Sequence, residues 1–149
     1  MGQGDMLIRK LEKTDVEDVT RLSDQLGYPT SMECMIQNIE MIKVSDDHEA
    51  FVAVDASNDQ LLGWIHVFLT HRLESGSFCE IGGMVVDENV RGKGIGTKLV
   101  KAAQDWSIGK RCFNMRVRTN VVREKTQKFY HQQGFKPGKR QQVFIKTLQ

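Results

Sequence analysis

An α/β fold, with a mixed and mostly antiparallel central sheet flanked by helices, is what the sequence predicts. Two observations carry this. The apolar patterns run strand, helix, helix, strand, strand, strand, helix, strand, helix, strand. Three consecutive strands favour antiparallel pairing, while the later strand–helix–strand unit favours parallel neighbours. The second observation is a glycine-rich turn over residues 90–97, set between an apolar run (81–86) and an amphipathic segment.

Each element has its own local signature. Residues 7–11 read as a first strand. Thr14-Asp15-Val16-Glu17 has the form of a capping box, and Val16, Val19, Leu22 and Leu26 follow at helical spacing until Gly27-Tyr28-Pro29 stops them. A second box, Thr30-Ser31-Met32-Glu33, opens a helix with the stripe Met35, Ile36, Ile39 and Ile42. Residues 51–54 form a strand, joined by the turn Ser57-Asn58-Asp59 to a longer one over 61–70. A turn at 72–77 leads to the strand 78–86. Ile95, Leu99, Ala103 and Trp106 mark the next helix, which Gly109 ends. Phe113, Met115 and Val117 alternate with polar neighbours as a half-exposed strand. Residues 122–133 form the last helix, with Glu124 and Lys128 as a favourable pair one turn apart, and 142–146 a final strand.

The 149 residues fit one domain over 1–149 that can bury its own core. Hydrophobic content of 40% and charged content of 27% are ordinary for a globular chain, and a net charge of +2 gives no argument for a nucleic-acid partner. Cys34, Cys79 and Cys112 have neither paired nor zinc-type spacing and read as reduced, packed thiols of a cytoplasmic protein. No run approaches the ~20 apolar residues of a membrane span, so no membrane partner is expected. The histidines form no metal pattern, and His48 and His131 read as surface residues.

The turn at 90–97 is the feature with chemical content. A strand, a glycine-rich turn and a helix start present backbone N–H groups and the positive end of a helix dipole, a place that binds phosphate. Two common phosphate loops fail on spacing. A Walker A loop would need Gly-Lys-Ser/Thr five residues after Gly92, and the third glycine of a dinucleotide fingerprint would fall one residue beyond Gly96. The pattern present is Arg91-Gly92-Lys93-Gly94-Ile95-Gly96, followed by Val117-Arg118-Thr119-Asn120, Arg123-Glu124, Phe129-Tyr130 and Gly134-Phe135. In order and spacing these resemble the GNAT (Gcn5-related N-acetyltransferase) family, most specifically over residues 80–135.

The resemblance implies the acyl-CoA N-acyltransferase fold, acetyl-CoA as cosubstrate and direct transfer of the acetyl group to a primary amine in a ternary complex. It implies that the amides of Arg91, Gly92, Lys93, Gly94, Ile95, Gly96 and Thr97 cradle the pyrophosphate. The backbone of Met84, Val85 and Val86 would run beside the pantetheine arm, which Asn120 also bonds. It implies Tyr130 as the acid that protonates the leaving thiolate and Glu80 as the base or cation-attracting carboxylate. Asp24 and Tyr28 would line the acceptor wall, which the first two helices and the 27–29 turn form; either His66 or His71, on the strand over 61–70 and just after it, would face the same pocket, where a neutral imidazole is a workable base. The phrase Leu26-Gly27-Tyr28-Pro29 resembles small bacterial members, relatives of aminoglycoside acetyltransferases, which favours a small-molecule amine; dimers are common in the family. The residues leave open a peptide N-terminus or lysine as acceptor, and a non-catalytic acyl-CoA sensor that needs neither Glu80 nor Tyr130. A salt bridge on the sheet is the structural alternative for Glu80, and a helix cap for Asn120.

Overall fold

A computed structural model describes residues 5–119 and 123–149. The chain divides into two compact units, residues 1–118 and 119–149.

The first unit is a five-stranded sheet in the order β1 (Met6–Lys10), β2 (His48–Asp55), β3 (Leu61–Arg72), β4 (Gly76–Val86) and β5 (Met115–Val117). The first three pairings are antiparallel, and β4 pairs with β5 in parallel through Cys79–Met115, Glu80–Arg116 and Ile81–Val117. This is the mixed, mostly antiparallel sheet that the element order predicts. The parallel step arises because α3 (Ile95–Gly109) carries the chain back between β4 and β5. Phe113 falls before β5 and is exposed, so the half-exposed strand is shorter than its alternation suggests.

Helices α1 (Val16–Leu26) and α2 (Met32–Lys43) pack over one face of the sheet. Their buried Val19, Leu22 and Ile39 meet Ala50, Val52, Val54 and Val85, with Trp64 packed beside them. Leu99 of α3 reaches the other face, where a Cβ on Gly63 would lie 3.2 Å from its Cδ1. Trp64 and Gly63 are neighbours on a strand and so point to opposite faces.

Two helix starts differ from expectation. The first reciprocal cap lies two residues earlier, between Glu12 and Asp15, and closes a short 3-10 turn, Lys13–Asp15, ahead of α1. Asp15 is drawn there by Arg9, which donates twice to its carboxylate (2.8 and 2.9 Å), and a distant cation in the strand outweighs the local Thr14–Glu17 pattern. At α2 the cap is Ser31, whose hydroxyl accepts from the Cys34 N–H at 3.1 Å. Gly27, with φ +93°, ends α1 in the left-handed conformation that glycine adopts without a Cβ penalty.

The second unit holds α4 (Glu124–Gln132), where Tyr130 packs edge-to-face on Phe129 and Phe135. The strand expected at 142–146 does not form. Val143, Phe144 and Ile145 are exposed, and an extended segment gains stability only when a neighbour pairs with it.

Candidate active site

The site builds outward from β4. Its pairing with β3 shifts between His66 and Val67: His66 faces Gly83 while Val67 faces Ile81, so Gly82 is an extra, unpaired residue. This is a β-bulge, which bends a strand and re-aims what lies beside it. Neither position 82 nor position 83 has room for a side chain. A Cβ at 82 would lie 2.6 Å from Nδ1 of His66, and one at 83 would lie 3.1 Å from the Trp64 ring.

In front of the bulge lies a cavity of about 370 Å³, enclosed by α1, α2, the turn between them and the inner face of β2 and β3. Its wall is mainly apolar, with Leu26, Met35, Ile39, Ile42 and Trp64 prominent; Ser23, Tyr28, Thr30, Asn38 and His66 supply the polar groups. Among the described residues, the fifteen that line it include no carboxylate, lysine or arginine. The Trp64 indole N–H is buried without a hydrogen-bond partner among the described residues. Tyr28 and His66 therefore sit where the acceptor wall is expected. Asp24 does not: it is exposed on α1, and its neighbour Ser23 takes the cavity position.

Histidine 66 is held neutral. Burial, reinforced by the nearby His48, lowers its pKa to about 4. His48 is not a free surface residue, as its sequence context suggested. It is half-buried and its Nδ1 lies 2.9 Å from Nε2 of His66. Sequence reasoning missed this pair because β2 and β3 bring together residues whose separation in the chain has no helical or strand period.

Glu80 lies opposite Phe68 in the β3–β4 register and so shares the face of His66. It is buried, 9% exposed, and its carboxylate lies 3.4 Å from Nε of Arg118. The salt bridge that was the structural alternative is thus present, and Glu80 is not part of the cavity wall. Cys79 points away from it; burial raises its thiol pKa above the ordinary value.

At the other end of β4 the chain turns through a short 3-10 segment, Glu88–Val90, into the loop. Gly92 (φ +84°) and Gly94 (φ +80°) both take the left-handed conformation, and Gly94 caps α3 with backbone alone. The helix ladder begins with Lys98 N–H donating to Gly94 C=O at 3.2 Å, so the amides of Gly94, Ile95 and Gly96 precede it. Arg91, Lys93 and Thr97 are exposed around this turn, and Arg91 Nε donates to Val86 C=O at 3.2 Å. Val85 is buried, with Met84 and Val86 half-buried, along the strand that leads in.

The loop is anchored by a residue the motif does not contain. Asp87 is 3% exposed and accepts from Asn89 N–H (3.1 Å), Arg21 (3.2 Å) and Gln25 (3.4 Å). Burial alone would push its carboxyl up, but these bonds outweigh burial and hold it below the usual carboxylate range. Glu88 N–H also donates to Gln25 at 2.9 Å, so α1 fixes the start of the turn.

Tyr130, in the second unit, is buried, and burial pushes its phenol up to about 12. It is a neutral donor at neutral pH. Asn120 lies outside the described residues. Among the described residues, no helix is long and apolar enough to cross a membrane.

The first unit thus combines a mixed sheet with a bulge in β4, a glycine turn whose amides precede the α3 ladder, and a cavity beside the bulge. Residues 2–135 match the model of the acetyltransferase (GNAT) family, and the chain belongs to that family. It is therefore an N-acetyltransferase with acetyl-CoA as cosubstrate. No curated protein matches it in sequence. Among solved structures it is similar to the aminoglycoside N-acetyltransferase AAC(6')-Iy in complex with CoA, with 24% identity over 97% of this chain and 96% of that one, and a TM-score of 0.87. The same enzyme with a bisubstrate analogue, CoA-S-monomethyl-acetylneamine, gives 23% identity, coverage of 97% and 100%, and a TM-score of 0.86. The aminoglycoside 6'-N-acetyltransferase AAC(6')-Ih from Acinetobacter baumannii gives 17%, 97% and 100%, and 0.85. At these identities the likeness establishes the fold.

Proposed function

We propose that the protein acetylates the primary amine of a small, largely apolar molecule, by direct attack on acetyl-CoA in a ternary complex within one domain. The observation that carries this reading is the cavity at the Gly82–Gly83 bulge. Its volume of about 370 Å³ is near the lower end of the ~300–1,000 Å³ usual for small-molecule sites. Its wall offers aliphatic and aromatic surface and no counter-ion. A polycation would lose hydration there without compensation, whereas an apolar body with one amine at its end would not. A bisubstrate analogue bound to a protein of the same fold supports a geometry in which both substrates meet.

In this reading the amides of residues 91–97 hold the pyrophosphate and the backbone of Met84, Val85 and Val86 lies along the pantetheine arm, with Asn120 as a further bond. An N–H of that strand polarises the thioester carbonyl. Tyr130, kept neutral by burial, gives a proton to the leaving thiolate. Glu80, already paired with Arg118, contributes negative potential that draws in the ammonium group. Tyr28 and His66 contact the acceptor, with Asp24 at most a charge outside the cavity.

The test is coenzyme A release against a panel of primary amines, from 2-phenylethylamine and hexylamine to spermidine and neamine. The reading expects the apolar monoamines to be preferred by tenfold or more in kcat/KM. Tight acetyl-CoA binding with no release above hydrolysis across the panel would identify a sensor instead. Preference for neamine or spermidine would overturn the apolar acceptor, and turnover of lysine peptides alone would overturn the small molecule.

A further inference from the structure

The histidine pair at the cavity has a construction that amine binding alone does not require. His48 opens β2 and lies opposite Phe68; His66 lies opposite Ala50. Both side chains stand on the cavity face, with Nδ1 of His48 2.9 Å from Nε2 of His66 and the rings within 18° of parallel. Phe68 packs against both, at 5.1 and 5.5 Å between centroids. His66 is part of the cavity wall, and His48 is half-buried. Glycine at 82 is what leaves Nδ1 of His66 open, since a Cβ there would sit 2.6 Å from that nitrogen. The two rings therefore make a continuous path of four nitrogens, starting at the bulge and leading away from the cavity.

Both substrates are present when acetyl transfer begins, but the amine arrives as an ammonium ion and must lose one proton before it can attack. The cavity wall holds no carboxylate to take it, and Glu80 is already engaged by Arg118. We propose that His66 and His48 form the proton exit of the acceptor cavity, with His66 as a catalytic base and His48 as the residue that passes its proton on. This rests on the acetyl-transfer reading above. In the resting pair Nε2–H of His66 donates to Nδ1 of His48, which leaves a lone pair on His66 Nδ1. The ammonium group gives one proton to that nitrogen, directly or through one water. His66 Nε2–H passes its proton to His48 Nδ1, and His48 Nε2–H releases one to water. The neutral amine then attacks the thioester carbonyl, the C–S bond breaks, and the second amine proton balances the one that the thiolate receives. Per turnover the products are amide, free thiol and one proton in solvent, and exchange with water restores the resting tautomers. Burial disfavours a charged His66, so the proton taken up at Nδ1 has to leave from Nε2 in the same step.

The test compares His66→Ala, His48→Asn and wild type, with 2-phenylethylamine as acceptor and calorimetric coenzyme A binding as the check on folding. General-base catalysis contributes about 10²–10⁴ in rate. His66→Ala is accordingly expected to lose about 100-fold or more in kcat, and His48→Asn about tenfold, with KM for acetyl-CoA and coenzyme affinity unchanged. Free imidazole at tens of millimolar is expected to restore part of the His66→Ala rate, which a loss of packing would not allow. Gly82→Ala, which drives a methyl group against Nδ1, should reproduce the His66 defect without removing the ring. Retention of wild-type kcat by either histidine variant overturns the relay, as does a loss confined to KM or a His66→Ala loss that imidazole leaves untouched. Wild-type protein that turns over no amine of the panel is a different result: it overturns the acetyl-transfer reading itself.

Discussion

The two regions that β4 connects offer a ligand opposite kinds of surface. Beyond its C-terminal end, the turn at 91–97 offers main-chain amides, two left-handed glycines and exposed polar side chains. At its middle, the Gly82–Gly83 bulge faces a cavity whose wall is made of side chains from α1, α2, β2 and β3. The first region suits a ligand common to a whole family, because every residue has an amide and only the backbone path must be kept. The second suits a ligand particular to one protein, because wall positions outside the buried core, such as Tyr28, Thr30 and Asn38, can change without disturbing the sheet.

The largest effect that could break this contrast is at Tyr130. If coenzyme is held by main chain and chemistry is done by side chains, Tyr130→Phe should lower kcat about 100-fold and leave coenzyme affinity, measured by calorimetry, where it was. Parallel loss of both would mean that Tyr130 serves binding.

The next effect is on stability. The folded pKa of His66 is lowered, from 6.5 to about 4. The unfolded chain therefore binds more protons across that window, so stability should be fully present above about 6.5 and fall as pH drops through about 4, by roughly 3 kcal/mol. Melting temperatures of wild type and His66→Asn should diverge most near neutral pH and converge in acid. A constant difference between the two at every pH would show that the ring charges as easily in the folded state as in the unfolded one.

Gly94→Val sharpens the contrast from the loop side. A β-branched residue at φ +80° carries a strain of about 1–3 kcal/mol, so coenzyme binding should weaken about tenfold while the order of preference among amines stays the same. The smallest change is Asn38→Asp, which places a carboxylate in the cavity wall. It should shift selectivity towards spermidine over 2-phenylethylamine by about fivefold, near 1 kcal/mol, with coenzyme affinity unaltered. A coenzyme defect in Asn38→Asp would mean that the two regions are not separable.

The coenzyme side is legible in the order of residues. Glycines at 92, 94 and 96 after an apolar run define a backbone path, and the path is local, so spacing alone reveals it. Most helices and strands are legible for the same reason, since apolar period follows which face is buried. The cavity side is legible only in outline. Tyr28 and His66 are found through the turn and strand that carry them, but Asp24 sits one position from Ser23, which takes the wall, and a helix turns that single step away from the cavity. The Arg9–Asp15 pair moves a cap across the strand end, and the Asp87 cluster gives the loop an anchor in α1 through contacts between residues far apart in the chain. The strand expected at 142–146 has the right alternation but no pairing in its described surroundings, and alternation says nothing of whether a partner edge is there.

By itself, then, the order of residues determined the mixed sheet, the glycine turn and the family, because these depend on periodicity and on φ angles that neighbours set. The cavity, the ion pair that occupies Glu80 and the contact between His48 and His66 were decided only by tertiary structure. Strand register and helix packing bring such groups within hydrogen-bond range, and the energy of those contacts depends on burial that no local pattern encodes.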